Sequence, residues 1–300
     1  MLNRMSTETV ATQRGKKIKE LEVMVADIIQ ETPDTTTLLL FTGNDRMDYQ
    51  AGHFLTIDPH QFGSLERFTQ YLEDIKGKKE PVRAYSLASA PHERHIAITV
   101  KEERYVSKQT KYPPLLSPLL VRRTPRGTRM VVTGFTGPYT LPPDIESKTD
   151  HLVHVVAGSG AVPNYGIIKD ALHRGLKLRH TFICANKKAE DICFRRELDA
   201  LASANPQKVK VVHTLTRETD ERSFTGGIRR GRISDALFAE LIPDPSSCIV
   251  YLCGPAITPW DKQAAKAAGE TPAPRFLESA LSLLEKRGIS KDRLRHESWG

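Results

Sequence analysis

The sequence predicts an antiparallel β-barrel followed by an α/β domain with a doubly wound parallel sheet. Three observations predict it. Ile18 to Leu141 carries short β-like runs separated by turn residues, the texture of a small all-β unit. From His151 onward, strand-like and helix-like segments alternate, which implies right-handed βαβ crossovers and a parallel sheet. Between the two textures, His151 to Asp170 joins a valine-rich apolar run to a helical pattern through the turn Gly158-Ser159-Gly160-Ala161-Val162-Pro163.

The chain has 300 residues, room for two domains of ordinary size, and its 39% hydrophobic and 27% charged residues are those of a globular protein. No apolar stretch is long enough to span a bilayer and the N-terminus lacks the apolar core of a signal peptide, so a cytoplasmic protein is expected. Cys184, Cys193, Cys248 and Cys253 form no C-x-x-C pair or cluster, which argues against a zinc or iron–sulfur site; no metal is expected. The net charge of +8 is spread along the chain, with no zinc-finger or RNP motif. It favours an anionic cofactor or an acidic protein partner over nucleic acid.

In chain order, residues 1–17 read as a frayed polar leader, 18–145 as the barrel domain and 149–300 as the α/β domain. Glu22 to Ile29, Thr35 to Phe41 and Phe54 to Ile57 are expected strands, followed by a helix over Leu65 to Ile75 and a solvated loop at Lys76 to Lys79. Pro81 to Pro91, PVRAYSLASAP, places Arg83 and Tyr85 on one face of a strand and Ser86 on the other. An arginine can clamp a diphosphate, a tyrosine ring can stack on a flat heterocycle and a serine can bond a ring nitrogen. The same residues would equally suit an ordinary polar strand face. Ile96 to Lys101 alternates as a strand, and Ser117-Pro118 reads as an N-cap serine with proline at N1, whose free N–H groups suit a phosphate. Met130 to Leu141 closes the unit with a strand and a glycine-proline turn, and Pro142 to Lys148 reads as a linker.

In the second half, Leu152 to Ala157 is a buried strand and the helix after the glycine turn ends at Gly175. Such a turn aims backbone N–H groups and a helix dipole at a phosphate, although read alone it is equally a plain strand-to-helix connection. Leu178 to Ala185, Val209 to Leu215, Ile249 to Cys253 and Leu294 to His296 are further strands. Glu190 to Ala202, Ile233 to Leu241 and Phe276 to Lys286 are helices, and the insertion Thr258 to Pro274 has room for a short one.

RAYSLASAP resembles the flavin-binding R-x-Y-S segment of the ferredoxin–NADP reductase family. Gly158 to Pro163 resembles that family's G-x-G-x-x-P turn, Cys253-Gly254-Pro255 its C-G-P motif and Glu297-Ser298-Trp299 its terminal E-x-aromatic. The motifs occur in the family's order from about Ile18 to the C-terminus, and Asn186-Lys187, Glu190-Asp191-Ile192 and Arg196-Glu197-Leu198 are similar to reductase components of bacterial oxygenases. The resemblance implies a flavin-binding barrel and a NAD(P)-binding α/β domain, with FAD rather than FMN. Flavin ligands would be Arg83, Ala84, Tyr85 and Ser86, with Val100 and Lys101 along the diphosphate or adenosine arm, Ser117 capping toward the diphosphate, and Trp299 beside the ring. NAD(P) would lie on Gly158, Ser159, Gly160 and Pro163, and on Cys253, Gly254 and Pro255. Ser86, Cys253 and Glu297 would form the hydride-transfer site. Three departures stand out: Pro114 replaces the glycine of G-x-x-S, Trp299 replaces phenylalanine or tyrosine and is followed by Gly300 alone, and no ferredoxin-type cysteine cluster is fused.

An NAD-specific site of this kind carries an acid at the end of the second strand. Asn186 and Lys187 stand there instead, and Thr216, Arg217 and Arg222 follow the third strand where a 2′-phosphate would lie, which favours NADPH over NADH. The implied activity is an NAD(P)H reductase passing single electrons from FAD to a separate acidic 2Fe–2S ferredoxin or oxygenase component. The alternatives are a free-standing flavin or ferric reductase with a small-molecule acceptor, and an electron-transfer subunit inert outside its complex.

Overall fold

The computed structural model describes residues 20–43, 47–107 and 110–299; the leader expected at 1–17 lies outside them. The first sheet has six antiparallel strands: β1 (Leu21–Thr32), β2 (Thr35–Phe41), β3 (Phe54–Ile57), β4 (Arg83–Ser86), β5 (Ile96–Lys101) and β6 (Arg129–Thr136), in the order β4-β3-β6-β1-β2-β5. Alternation along β1 and β2 turns Val23, Val25, Leu38 and Leu40 into a core shared with Leu55, Ile57 and Val132. A bridge between Leu87 and Ile98 joins the two edges, so the sheet curls closed at that point. Beyond the bridge, β4 keeps a free edge from Arg83 to Ser86.

The second sheet is parallel throughout: β7 (His151–Ala157), β8 (Arg179–Asn186), β9 (Val209–Leu215), β10 (Ile228–Arg230), β11 (Cys248–Pro255) and β12 (Leu294–Trp299), in the order β10-β9-β8-β7-β11-β12. The chain leaves β7 in one direction to build β8 through β10, then returns to lay β11 on its other side. This reversal opens a crevice at the carboxyl ends of β7 and β11, the usual ligand position of such sheets. One face packs Val156, Phe182, Tyr251 and Cys253 against Ala88, Ala97 and Tyr139 of the first unit, so a single apolar core crosses the seam. The other face is covered by helices carrying Phe238, Leu277 and Leu284.

The helices are α1 (Glu66–Lys76), α2 (Ser117–Arg122), α3 (Ile145–Lys148), α4 (Ala161–His173), α5 (Arg195–Ala204), α6 (Asp235–Leu241), α7 (Pro259–Ala268) and α8 (Phe276–Lys286). Several depart from the sequence expectation. Lys76 ends α1 and pairs with the buried Glu80 instead of lying in a solvated loop. The expected linker contains α3, because Ile145 is drawn into the core, 1% exposed. The helix expected from Glu190 starts only at Arg195: Asp191 accepts the backbone N–H of Lys188 to close a 3-10 turn, and Phe194 has positive φ (55°). Strand β10 was not expected, while the insertion does carry a helix, α7, with Thr258 and Asp261 forming a capping box.

Candidate active site at the seam

Ser86 ends β4, and Phe54 opposes it in the register with β3. Across the seam, β11 and β12 pair so that Cys253 lies opposite Glu297 and Pro255 opposite Trp299. The Glu297 carboxylate accepts a hydrogen bond from Ser86 and lies 4.0 Å from Cys253 Sγ through Oε2. Burial raises the Glu297 carboxyl above the usual range, partly offset by the Ser86 bond. Burial, with the Glu297 charge added, holds the Cys253 thiol protonated. The three residues expected at the hydride-transfer corner are therefore together. Cys253 and Gly254 are both buried; a Cβ on Gly254 would fall 2.4 Å from the Phe276 ring.

Along β4, Arg83 donates to the fully buried Glu80 carboxylate at 2.7 Å, which holds its guanidinium in place, while Ala84 is exposed. Tyr85 is largely enclosed, and burial raises its phenol. Because β4 has β3 on one side only, the N–H and C=O groups of its other edge are free beside the Tyr85 ring, an arrangement that fits a planar heterocycle with hydrogen-bonding edges. Val100, expected along the flavin, is 1% exposed, backbone included, and presents no surface to a ligand.

A cleft of about 510 Å³, with Pro255 at the end of β11 in its wall, lies over the carboxyl ends of β7, β8 and β9. Gly158, Ser159, Asn186, Lys187, Thr216, Arg217 and Pro255 line it, all expected from the sequence. Gly160 and Pro163 are buried in the turn and the first turn of α4 beneath it. Asn186 is 7% exposed; its amide N donates to Cys184 Sγ at 3.2 Å and its Oδ1 has no partner among the described residues, leaving a buried acceptor in the cleft wall. Such an atom fits a ligand hydroxyl, and the five cations of the wall (Lys101, Lys187, Arg217, Arg232, Arg275) outnumber its two carboxylates, Asp34 and Asp191, which fits a phosphate-bearing ligand.

Three expected residues are placed differently. Arg222 does not line the cleft: its side chain is 91% exposed and turned back onto Asp220, two residues away, at 2.8 Å. Ser117 does not cap α2, because it is already the first helical residue, buried, and its Oγ accepts the backbone N–H of Glu103 at 3.0 Å. Lys101 faces this cleft, paired with Asp34 at 2.5 Å; burial would raise that carboxyl, but the lysine outweighs it and holds it low. The side chain of Trp299, like Gly300, lies outside the described residues. Sequence reasoning missed Arg232 and Arg275. Arg232 follows the three-residue strand β10, too short for a periodic signal, and Arg275 closes the insertion, where it pairs with Asp261 at 2.8 Å. Among the described residues no helix is long and apolar enough to cross a membrane, and no group of three His, Cys, Asp or Glu side chains is placed to hold a metal.

Residues 155–258 match the family described as oxidoreductase NAD-binding domain. The chain is similar to nitrate reductase (NADH) of Volvox carteri, 30% identical over 164 residues, covering 53% of this chain and 17% of the relative. It is also similar to NADH-cytochrome b5 reductase 2 of Botryotinia fuckeliana, 27% identical over 188 residues, covering 59% and 52%. The chain thus spans about half, or less, of the curated relatives it matches. Among solved structures, the FAD/NAD-binding domain of nitric oxide dioxygenase from Vibrio cholerae superposes with a TM-score of 0.69 at 22% identity, covering 93% and 98% of the two chains. A ferredoxin reductase of carbazole 1,9a-dioxygenase does so at 0.66 and 19%, covering 96% and 71%; at these identities the likeness is one of fold. Residues 155–258 thus match an oxidoreductase NAD-binding domain, and the chain as a whole shares the fold of an FAD/NAD-binding domain and of a ferredoxin reductase.

Proposed function

We propose that this chain takes a hydride from NADPH onto FAD and delivers single electrons to a separate, acidic 2Fe–2S protein. The observation that carries the reading is the convergence of Ser86, from the first sheet, on Glu297 and Cys253, from the second, two residues before Pro255 enters the wall of the cation-rich cleft. A flavin accepts electrons in pairs and releases them one at a time, which is the chemistry FAD supplies here.

The chain's own residues position the two rings. Tyr85 and the free edge of β4 hold the flavin, Arg83 its diphosphate, and Ser86 its N5. The N–H groups of Gly158 to Gly160 and the start of α4 hold the nucleotide diphosphate, and Asn186 Oδ1 accepts from a ribose hydroxyl. Cys253 packs beside the nicotinamide. Glu297 orients the Ser86 hydroxyl, and its raised carboxyl would hold a proton beside that hydroxyl when the flavin is bound. NADPH is preferred because Lys187, Arg217 and Arg232 have no carboxylate partner among the described residues and no acid ends β8. The formal charge of +8 suits an acidic acceptor, and the fold is shared with a ferredoxin reductase.

The test is the visible spectrum of purified protein with chromatography of the released cofactor, then flavin reduction by NADPH and NADH, then reduction of an acidic 2Fe–2S ferredoxin at rising ionic strength. Bound FAD, faster reduction by NADPH and ferredoxin turnover that falls with salt are expected. A preparation that takes up no flavin, or ferredoxin reduction indifferent to salt, would overturn the reading.

A further inference from the structure

We infer that Tyr139 and Asn164 are positioning residues for hydride transfer, forming a buckle that ties the glycine turn and the end of β11 to the sheet carrying Tyr85 and Ser86. The inference rests on the reading above, that a hydride crosses this seam.

The flavin side and the nicotinamide side of the reaction belong to different sheets, so the distance between the two rings is set by how the sheets dock. Tyr139 and Thr140 follow β6 and belong to the first unit by chain order, yet the second unit grips both. Asn164, on α4, donates its amide N–H to the Tyr139 hydroxyl at 3.0 Å. Tyr251, on β11, donates its hydroxyl to the Thr140 carbonyl at 2.9 Å. The Tyr139 ring meets the Tyr251 ring edge-on, centroids 5.3 Å apart at 83°. From the other side the segment is pressed onto Gly52, where a Cβ would fall 1.9 Å from the Tyr139 carbonyl oxygen and φ is +94°. Only glycine allows that approach, so the segment is clasped from both units.

The orientation of the Asn164 amide is over-determined. Its second N–H donates to the Gly160 carbonyl at 3.2 Å, in the turn expected to hold the nucleotide diphosphate. Its Oδ1 lies 2.8 Å from His154 Nδ1, which therefore carries the proton, and His154 Nε2 accepts from His180 Nδ1 at 3.1 Å. A flipped amide would set two carbonyl-type oxygens against each other at Gly160. Tyr139, Asn164, His154 and His180 are all at least 97% buried, so each lost bond would leave an unsatisfied group in the core. Burial also pushes the His154 imidazole down to about 4, so it stays neutral and the pattern of donors holds at neutral pH.

The two grips lead to the two ends of the nucleotide. Asn164 holds Gly160, at the diphosphate end, and Tyr251 precedes Cys253 by two residues on the same face of β11, at the nicotinamide end. A shift of about 1 Å in such a geometry costs about 100-fold in rate. Loosening one bond of the pair should cost about 10-fold.

The experiment uses the flavin-loaded full chain and Tyr139→Phe, which keeps the ring and removes the hydroxyl. Flavin reduction at saturating NADPH, followed by stopped flow, should slow about 10-fold, with an altered primary isotope effect when NADPH is deuterated at C4, while NADP⁺ affinity by calorimetry changes less than about 2-fold. In the flavin-free protein, amide hydrogen exchange should rise over residues 139–141 and 160–166 and stay unchanged in β8 and β9. If Tyr139→Phe does not fold, Tyr251→Phe removes the other grip and carries the same readouts. Unchanged reduction rate and isotope effect, or exchange that rises evenly across the second sheet, would overturn the inference. Failure of the wild type itself to pass a hydride would instead overturn the functional reading, and the exchange measurement would still decide whether the buckle exists.

Discussion

Replacing Arg217 and Arg232 by alanine should convert the nucleotide preference without disturbing the chemistry. NADPH differs from NADH by one 2′-phosphate carrying about 1.5 to 2 negative charges. A unit-charge pair about 5 Å apart is worth about 3 kcal/mol at an effective dielectric of about 20. Both arginines are exposed at the cleft, so water and a screening length of about 8 Å reduce this to about 1–2 kcal/mol each, the size of a hydrogen bond to a charged group. Neither has a competing carboxylate among the described residues, so no internal pair absorbs the loss. Each substitution should therefore lower kcat/KM for NADPH about 5- to 30-fold, leave NADH within about 2-fold, and act through KM. Arg222→Ala, whose side chain already serves Asp220, should change neither. The assay is steady-state ferricyanide reduction with both nucleotides at fixed ionic strength. Equal losses for NADH and NADPH, or a loss confined to kcat, would refute the placement of the 2′-phosphate.

Glu297 and His213 give opposite pH signatures. The Glu297 carboxyl is raised in the folded state by burial, so its contribution is fully present at acid pH and is lost as pH rises through its folded value. Glu297→Gln should accordingly gain stability relative to wild type with rising pH in denaturant titrations, and a difference that does not vary with pH would refute the assignment. His213 is 3% exposed with neither ring nitrogen bonded among the described residues, and burial lowers it from 6.5 to about 4. The unfolded chain therefore takes up that proton first, and stability falls as pH drops from 6.5 toward 4. His213→Leu should stabilise the fold by about 1 kcal/mol at neutral pH and weaken this acid sensitivity; a loss of stability would show that His213 has a partner in solution.

Most of the order of strands and helices, the two sheets and the location of the glycine turn were legible in the sequence because each depends on neighbours along the chain. Alternation in Thr35–Phe41, the valine run of His151–Ala157 and the glycines after it constrain backbone geometry within a few residues. Even there, a local rule gave way where a more distant partner was on offer: Ser117 spends its hydroxyl on Glu103 instead of on its own helix. What only the tertiary structure decided is which side chains meet across the seam. That Glu297 reaches Ser86, that Lys101 faces the nucleotide cleft, that Arg232 joins Arg217, and that Asn164 holds both Gly160 and Tyr139 are contacts between residues remote in the chain. Periodicity carries no record of such pairs. They are set by the packing of one sheet's face on the other unit, where a burial energy shared among dozens of apolar side chains fixes positions that no single residue specifies.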